Sequence, residues 1–242
     1  MGRAAPYIED IGTEFAVDIR GAVLSYGGVP LFDGLDIRLE TGLWTCLLGP
    51  SGVGKTSLLR LIAGLDSTAA GQVRTEPVAY MGQSDLLLPW ASVLDNAVLG
   101  ARLRGERPKF KRAQRLLAEV GLANIEARPA TLSGGERQRI ALVRTLMEDR
   151  AVVLMDEPFG SLDAITRHAA QDLAAQMLAG KTVLLVTHDP LEALRLGDRI
   201  YVMTGRPAVL EALPALDLAP PRDVRDPVVL VAQGDLLARL AG

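Results

Sequence analysis

Between residues 45 and 65 the chain reads TCLLGPSGVGKTSLLRLIAGL. A short apolar run suited to a fully buried strand is followed by one proline, three glycines and a lysine, and then by apolar residues at helical spacing. The stretch Gly49–Thr56 fits G-x-x-x-x-G-K-[ST] in full. A turn of this kind takes a strand directly into a helix with successive backbone N–H groups facing inward, where they hold phosphate oxygens. The positive end of the following helix adds to the pull on an anion. Gly49, Pro50, Ser51, Gly52, Val53 and Gly54 would form the cradle, with Ser57 completing it inside the helix. Lys55 would reach the β- and γ-phosphates, and the Thr56 hydroxyl would ligate Mg2+. The nucleotide is then the counter-ion of an otherwise stranded lysine. The bland alternative is a glycine-rich strand-to-helix turn with no ligand.

A second stretch supplies carboxylates. AVVLMDEP, residues 151–158, ends a buried apolar run in Asp156 and Glu157. Ligands of parallel sheets bind at the carboxyl ends of the strands. Asp156 would hold Mg2+ through water, and Glu157 would polarise the water that attacks the γ-phosphate.

The rest of the chain supports an α/β fold. EFAVDIR and GLDIRLETG alternate apolar and polar residues and predict an antiparallel sheet ahead of the core, with Phe15, Val17 and Ile19 on one strand and Leu35, Ile37 and Leu39 on the other. TCLLG, VAYM, VVLMD, TVLLVTH and IYVMTG are short continuous apolar runs, as expected for buried parallel strands. Helical spacing lies between them over Thr56–Ala63, Phe110–Val120, Gly134–Met147 and Thr166–Leu178, which gives βαβ units. The expectation is one domain over 1–242, with a core lobe over about 13–85 and 151–213, an inserted helical lobe over about 86–150, and a tail over 214–242 that ends in a helix near Pro227–Leu240.

Composition bounds the partners. The 242 residues carry a net charge of −3, which gives no electrostatic reason to expect nucleic acid. The lone cysteine, Cys46, cannot form an internal disulfide and sits among apolar neighbours, which fits a core thiol in a reducing compartment. The N-terminus reaches Glu9 and Asp10 before any apolar run and shows neither a leader nor a myristoylation motif. No stretch approaches the roughly 18 apolar residues of a membrane span. The basic run Arg102, Arg104, Arg107, Lys109, Lys111, Arg112 and Arg115 reads as a solvated helix face and its lead-in loop, the alternative being a face for anionic lipid headgroups or a partner.

LSGGERQR, Leu132–Arg139, selects among phosphate-cradle families. A serine N-cap followed by two glycines is a second helix start able to bind an anion. With this motif the chain resembles the ATP-binding cassette (ABC) ATPases over roughly residues 15–215. The resemblance implies a P-loop NTPase core with an antiparallel β subdomain and a helical subdomain. It implies that Ser133, Gly134, Gly135 and Glu136 bind the nucleotide held by a second copy, so that two ATP molecules join a homodimer. It further implies adenine stacking by Tyr26 in LSYGG, and Mg2+ and water contacts for Gln83 in YMGQSD. Asp163 in GSLD would lie at the dimer interface, and His188 after TVLLVT would contact the γ-phosphate. The alternative for Tyr26 is a plain strand aromatic, with stacking the preferred reading. His168 matches no motif and reads as structural. Trp44 departs from the small or charged residue that such proteins often carry there, without touching a catalytic assignment.

QSDLLLPWASVLDNAVLG and the late GRPAVLEALPALDLAPPRDVRDP are similar to importer ATPases for nitrate, sulfonates, taurine and thiamine-precursor pyrimidines. The run from Trp44 to Leu65 leans toward the pyrimidine branch. The resemblance implies an ATPase working at the cytoplasmic face of the cell membrane, under integral permease subunits fed by an external solute-binding protein. The alternative is a soluble ABC ATPase without a permease, acting in DNA repair or translation. A small-molecule kinase would have no use for LSGGERQR. Leu86, Leu87, Leu88 and Trp90 follow Gln83 directly and either pack as core or receive a permease helix.

Overall fold

The computed structural model describes residues 14–241. The absence of a leader was read from residues 1–13, which lie outside the described residues. The chain divides into two compact units. The first holds residues up to 78, 151–156 and 180 onward; the second holds 79–150 and 157–179.

In the first unit, β1 (Phe15–Tyr26) and β2 (Val29–Glu40) form a long antiparallel hairpin in the register Val17↔Leu39 and Ile19↔Ile37. Leu35, Ile37 and Leu39 are buried while Asp36 and Arg38 between them are exposed, which is the alternation the sequence shows. The sequence-based sheet gains a third member beyond β1, because β4 (Ala70–Thr75) pairs with β1 antiparallel on its other side. Asp18 is buried on β1 and is gripped by Arg20 and by Arg38 of the neighbouring strand.

The unit's second layer is a sheet containing β3 (Trp44–Leu48), β6 (Val152–Asp156), β7 (Thr182–Val186), β8 (Arg199–Thr204) and β9 (Val209–Ala212), side by side in the order β6-β7-β3-β8-β9. The first four are parallel and β9 is antiparallel. Every residue of β3, β6 and β7 is buried, which explains their unbroken apolar sequences. Cys46 is fully buried in β3, and burial pushes its thiol pKa well up, so it is an inert core group. Helices α1 (Lys55–Ile62), α7 (Pro190–Leu196) and α8 (Pro227–Ala241) complete this unit.

β5 (Val78–Met81) starts at the last residue of the first unit's opening segment and leads into the second. That unit is helical: α2 (Val93–Ala97), α3 (Leu99–Leu103), α4 (Phe110–Glu119), a 3-10 turn at Pro129–Thr131, α5 (Gly134–Met147) and α6 (Ala164–Met177). α6 groups with these helices, whereas the sequence reading placed it in the core lobe. The basic run is largely matched by acids: Arg102 meets Asp95, Arg104 meets Glu106 and Glu148, Arg112 meets Asp149, and Arg115 lies 3.7 Å from Glu119.

Candidate nucleotide site

The glycines of the cradle are required by the backbone. Gly49 leaves β3 at φ +153°, and a Cβ there would collide with the carbonyl oxygen of Met203 at the end of β8. Gly54 caps α1 at φ +120°, and a Cβ there would sit 2.9 Å from Phe32 Cε1. The turn is thus pressed against walls at these two positions, where no side chain fits. No side chain caps the N-terminus of α1, so the first-turn N–H groups face the cradle.

Lys55 is only 7% exposed, and its Nζ donates to the carbonyl oxygens of Gly49 at 2.7 Å and Pro50 at 3.0 Å. The ammonium is folded over the mouth of its own loop. Thr56 Oγ1 donates to Asp156 Oδ2 at 2.7 Å, and Asp156 is buried. Leu47, Val186 and Asp156 are partners across β3, β7 and β6. The cradle, the Asp156 carboxylate and His188, two residues beyond β7, therefore leave the sheet at one edge. His188 is exposed there. Hydroxyl and carboxylate are the hard oxygen donors that Mg2+ takes, and one of each stands at the mouth of a phosphate cradle, so the residues fit the metal. Among the described residues no cluster of three or more His, Cys, Asp or Glu forms a metal cage.

Tyr26 closes β1 half-exposed, and its hydroxyl donates to Asp66 Oδ2 at 3.1 Å. Arg60 also donates to Asp66, and its guanidinium, with a smaller contribution from Tyr26, holds that carboxyl below the usual range. The ring is therefore pinned at its tip with a face open.

The second unit carries the remaining candidates. Glu157 adopts φ +49°, unusual for a side chain with a Cβ. Gln83 Nε2 donates to Glu157 Oε2 at 3.3 Å, so the amide and the candidate base meet. Ser133 N-caps α5 in a capping box: its Oγ accepts from Glu136 N, and Glu136 Oε2 accepts from Ser133 N at 2.8 Å and Ser133 Oγ at 2.7 Å. These bonds hold the Glu136 carboxyl below its ordinary pKa. In this chain alone Glu136 serves the cap. Gly135 packs tightly, since a Cβ there would lie 3.0 Å from Leu162 Cδ2. The next residue, Asp163, caps α6 by accepting from Ile165 N and Thr166 N, both at 3.1 Å.

Three residues in the second unit escaped the sequence reading: Asp85, Arg137 and Arg144 meet beside Gln83. The only hint in the sequence is two arginines seven apart on one helix.

A parallel sheet with a glycine cradle, a strand-end aspartate and a serine-capped glycine helix defines a P-loop nucleotide-binding protein of the cassette type. Residues 32–160, more than half of the chain, match the ABC transporter family, and the chain belongs to that family. It is 43% identical over 237 residues to an ABC transporter ATP-binding protein of Haemophilus influenzae, covering 93% of this chain and 99% of that one. It is 44% identical over 231 residues to the aliphatic sulfonates import ATP-binding protein SsuB of Delftia acidovorans, covering 93% and 94%. Over 200 residues it is 46% identical to SsuB 1 of Rhodococcus jostii, covering 78% and 80%. Among solved structures it is similar to a dimeric bacterial ABC transporter cassette, with TM-score 0.69 and 27% identity over 77% of this chain and 93% of that one. The same TM-score and coverage, with 28% identity, relate it to a post-hydrolysis state of that cassette bound to ADP and Pi.

Proposed function

We propose that this chain is the ATP-hydrolysing motor subunit of an ABC importer and that its solute is an aliphatic sulfonate or a close anionic relative. The contact that carries the ATPase reading is Thr56 Oγ1 on buried Asp156, which joins the cradle to the strand-end carboxylate. The import reading rests on the sulfonate importer proteins to which the chain is 40–47% identical. These relatives favour sulfonate over the pyrimidine branch, and none of them bears a repair or translation name.

In this reading the cradle N–H groups and Lys55 bind the β- and γ-phosphates, with the lysine exchanging its carbonyl partners for phosphate oxygens. Tyr26 stacks on adenine. Thr56, Asp156 and Gln83 would hold Mg2+, which when bound would neutralise phosphate charge. Glu157 accepts a proton from water as the water oxygen attacks the γ-phosphorus. The β–γ bridge then breaks to leave ADP and phosphate. Gln83 orients Glu157 and the water, and His188 contacts the γ-phosphate. Ser133, Gly134, Gly135 and Glu136 meet the nucleotide of a second copy, with Asp163 at that interface, so ATP closes a homodimer. No described helix is long and apolar enough to cross a membrane, and the chain works peripherally at the cytoplasmic face through a permease. A solute-binding protein delivers the cargo, and nucleic acid has no part.

The test is reconstitution of the chain with the permease encoded beside it, measuring ATP-dependent uptake of a labelled alkanesulfonate. Uptake that depends on ATP and vanishes with Lys55→Ala is expected. Hydrolysis without uptake of any sulfonate would remove the cargo assignment.

A further inference from the structure

Gln83 and Ser133 are fifty residues apart in sequence, and the second unit ties their surroundings together. Arg137, in the first turn of α5, donates from Nε to Asp85 Oδ2 at 2.9 Å and from Nη1 to Leu132 O at 2.8 Å. One guanidinium therefore spans from the residue before Ser133 to the second residue after Gln83. Two turns along α5, on the same face, Arg144 donates from Nη2 to Asp85 O at 2.6 Å and from Nη1 to Leu86 O at 2.9 Å. The planar guanidinium fork grips these two successive carbonyls from two separate nitrogens in one fixed geometry. Leu86, at this double contact, is in the left-handed region at φ +47°. Asp85 Oδ1 reinforces this bend by accepting from Leu87 N at 3.2 Å. A strained, non-glycine residue whose own carbonyl and both neighbours are hydrogen-bonded is held in place by its surroundings, as strained positions at functional sites are. Arg144 is half-buried, and burial lowers its guanidinium pKa against the opposing charges of Asp85 and Glu148.

We infer that Asp85, Arg137 and Arg144 clamp the segment after Gln83 to the start of α5. Arg137 and Arg144 are thereby positioning residues for ATP hydrolysis. The inference rests on the roles proposed above for Gln83 and Ser133. By this clamp, whatever seats Ser133 on one nucleotide also fixes Gln83 against Glu157 for the other. The cradle lies in the first unit and is untouched, so nucleotide affinity is spared while turnover is lost.

The experiment is a double-mutant cycle on the full-length chain, with steady-state ATP hydrolysis and melting temperature read for Gln83→Ala, Arg144→Met and the pair. Arg144→Met should lower kcat about tenfold, inside the loss that misplacement of about 1 Å can cause, with KM for ATP within about twofold. In the Gln83→Ala background it should cause no further fall, because both changes remove one positioned amide. Losses that multiply, or a wild-type kcat in Arg144→Met, overturn the clamp. If Arg144→Met melts below the assay temperature, the same cycle with Asp85→Asn decides, since the amide oxygen can still accept from Leu87 N while the carboxylate charge facing Arg137 and Arg144 is removed. A wild-type rate in Gln83→Ala would instead remove the underlying reading of Gln83, and the clamp's role with it.

Discussion

Glu157 stands in a backbone conformation that costs on the order of 1–3 kcal/mol for a residue with a Cβ, and Gln83 holds its carboxylate. Glu157→Gln keeps the shape and the strained φ but can no longer take a proton. Binding should persist while hydrolysis falls by about 10²–10⁴. The variant should elute as a nucleotide-bound dimer when ATP and Mg2+ are present during size exclusion. A monomeric elution with wild-type turnover would exclude Glu157 as the base. The cradle glycines are set by a different physics. Gly49 is fixed by the Met203 carbonyl and Gly54 by Phe32, so both belong to the packing of the turn as much as to its ligand.

At the scale of elements, sequence legibility followed burial. β3, β6 and β7 were readable because all of their residues are buried and all must be apolar or small. β4 escaped because AGQVRT is exposed or half-exposed throughout and is held by β1 rather than by its own side chains. β9 escaped for the same reason, and α7 because seven residues give too little period. The cradle and the LSGGERQR start are contiguous and wrote themselves into the sequence. The Asp85 clamp joins residues 52 and 59 apart and left no local trace. The β1–β2 hairpin carries a pH dependence. Hydrogen bonding from Arg20, joined by Arg38, outweighs burial and lowers the Asp18 pKa from its ordinary 3.8. A depressed folded pKa stabilises fully above 3.8 and loses that stabilisation as pH falls through the folded value. Asp18→Asn should therefore lower the melting temperature at pH 7 and flatten its fall below pH 4. An unchanged acid limb would show that Asp18 contributes nothing to it.

The whole molecule works as two copies if Ser133 serves the partner's nucleotide. A mixed dimer with Ser133→Arg in one subunit and Lys55→Ala in the other concentrates both lesions in one site and leaves one site whole. Placing both changes in the same subunit damages both sites. The first arrangement should retain about half of wild-type hydrolysis if the sites fire independently, and the second almost none; equal rates would argue that each subunit hydrolyses alone.

Coupling to a permease needs a surface that the chain itself does not bury. After Gln83 the structure separates residues that the sequence could not. Leu87 is 9% exposed, whereas Leu86 is 69% and Trp90 71% exposed. Leu87 is therefore core of the second unit, and Leu87→Ala should destabilise by about 2–5 kcal/mol. Trp90 presents a large amphipathic side chain to solvent four residues after Leu86, the bend that Arg144 holds. Aromatic anchors of this kind seat a partner's helix when a groove or face receives it. Trp90→Ala should leave melting temperature and ATP affinity of the isolated chain unchanged, while recovery of the permease complex from membranes and uptake per ATP both fall. The two measurements are a thermal melt of each variant and transport in reconstituted vesicles. Normal uptake by Trp90→Ala at unchanged stability would move the permease contact elsewhere on the chain. A low melt with normal uptake would assign Trp90, like Leu87, to packing.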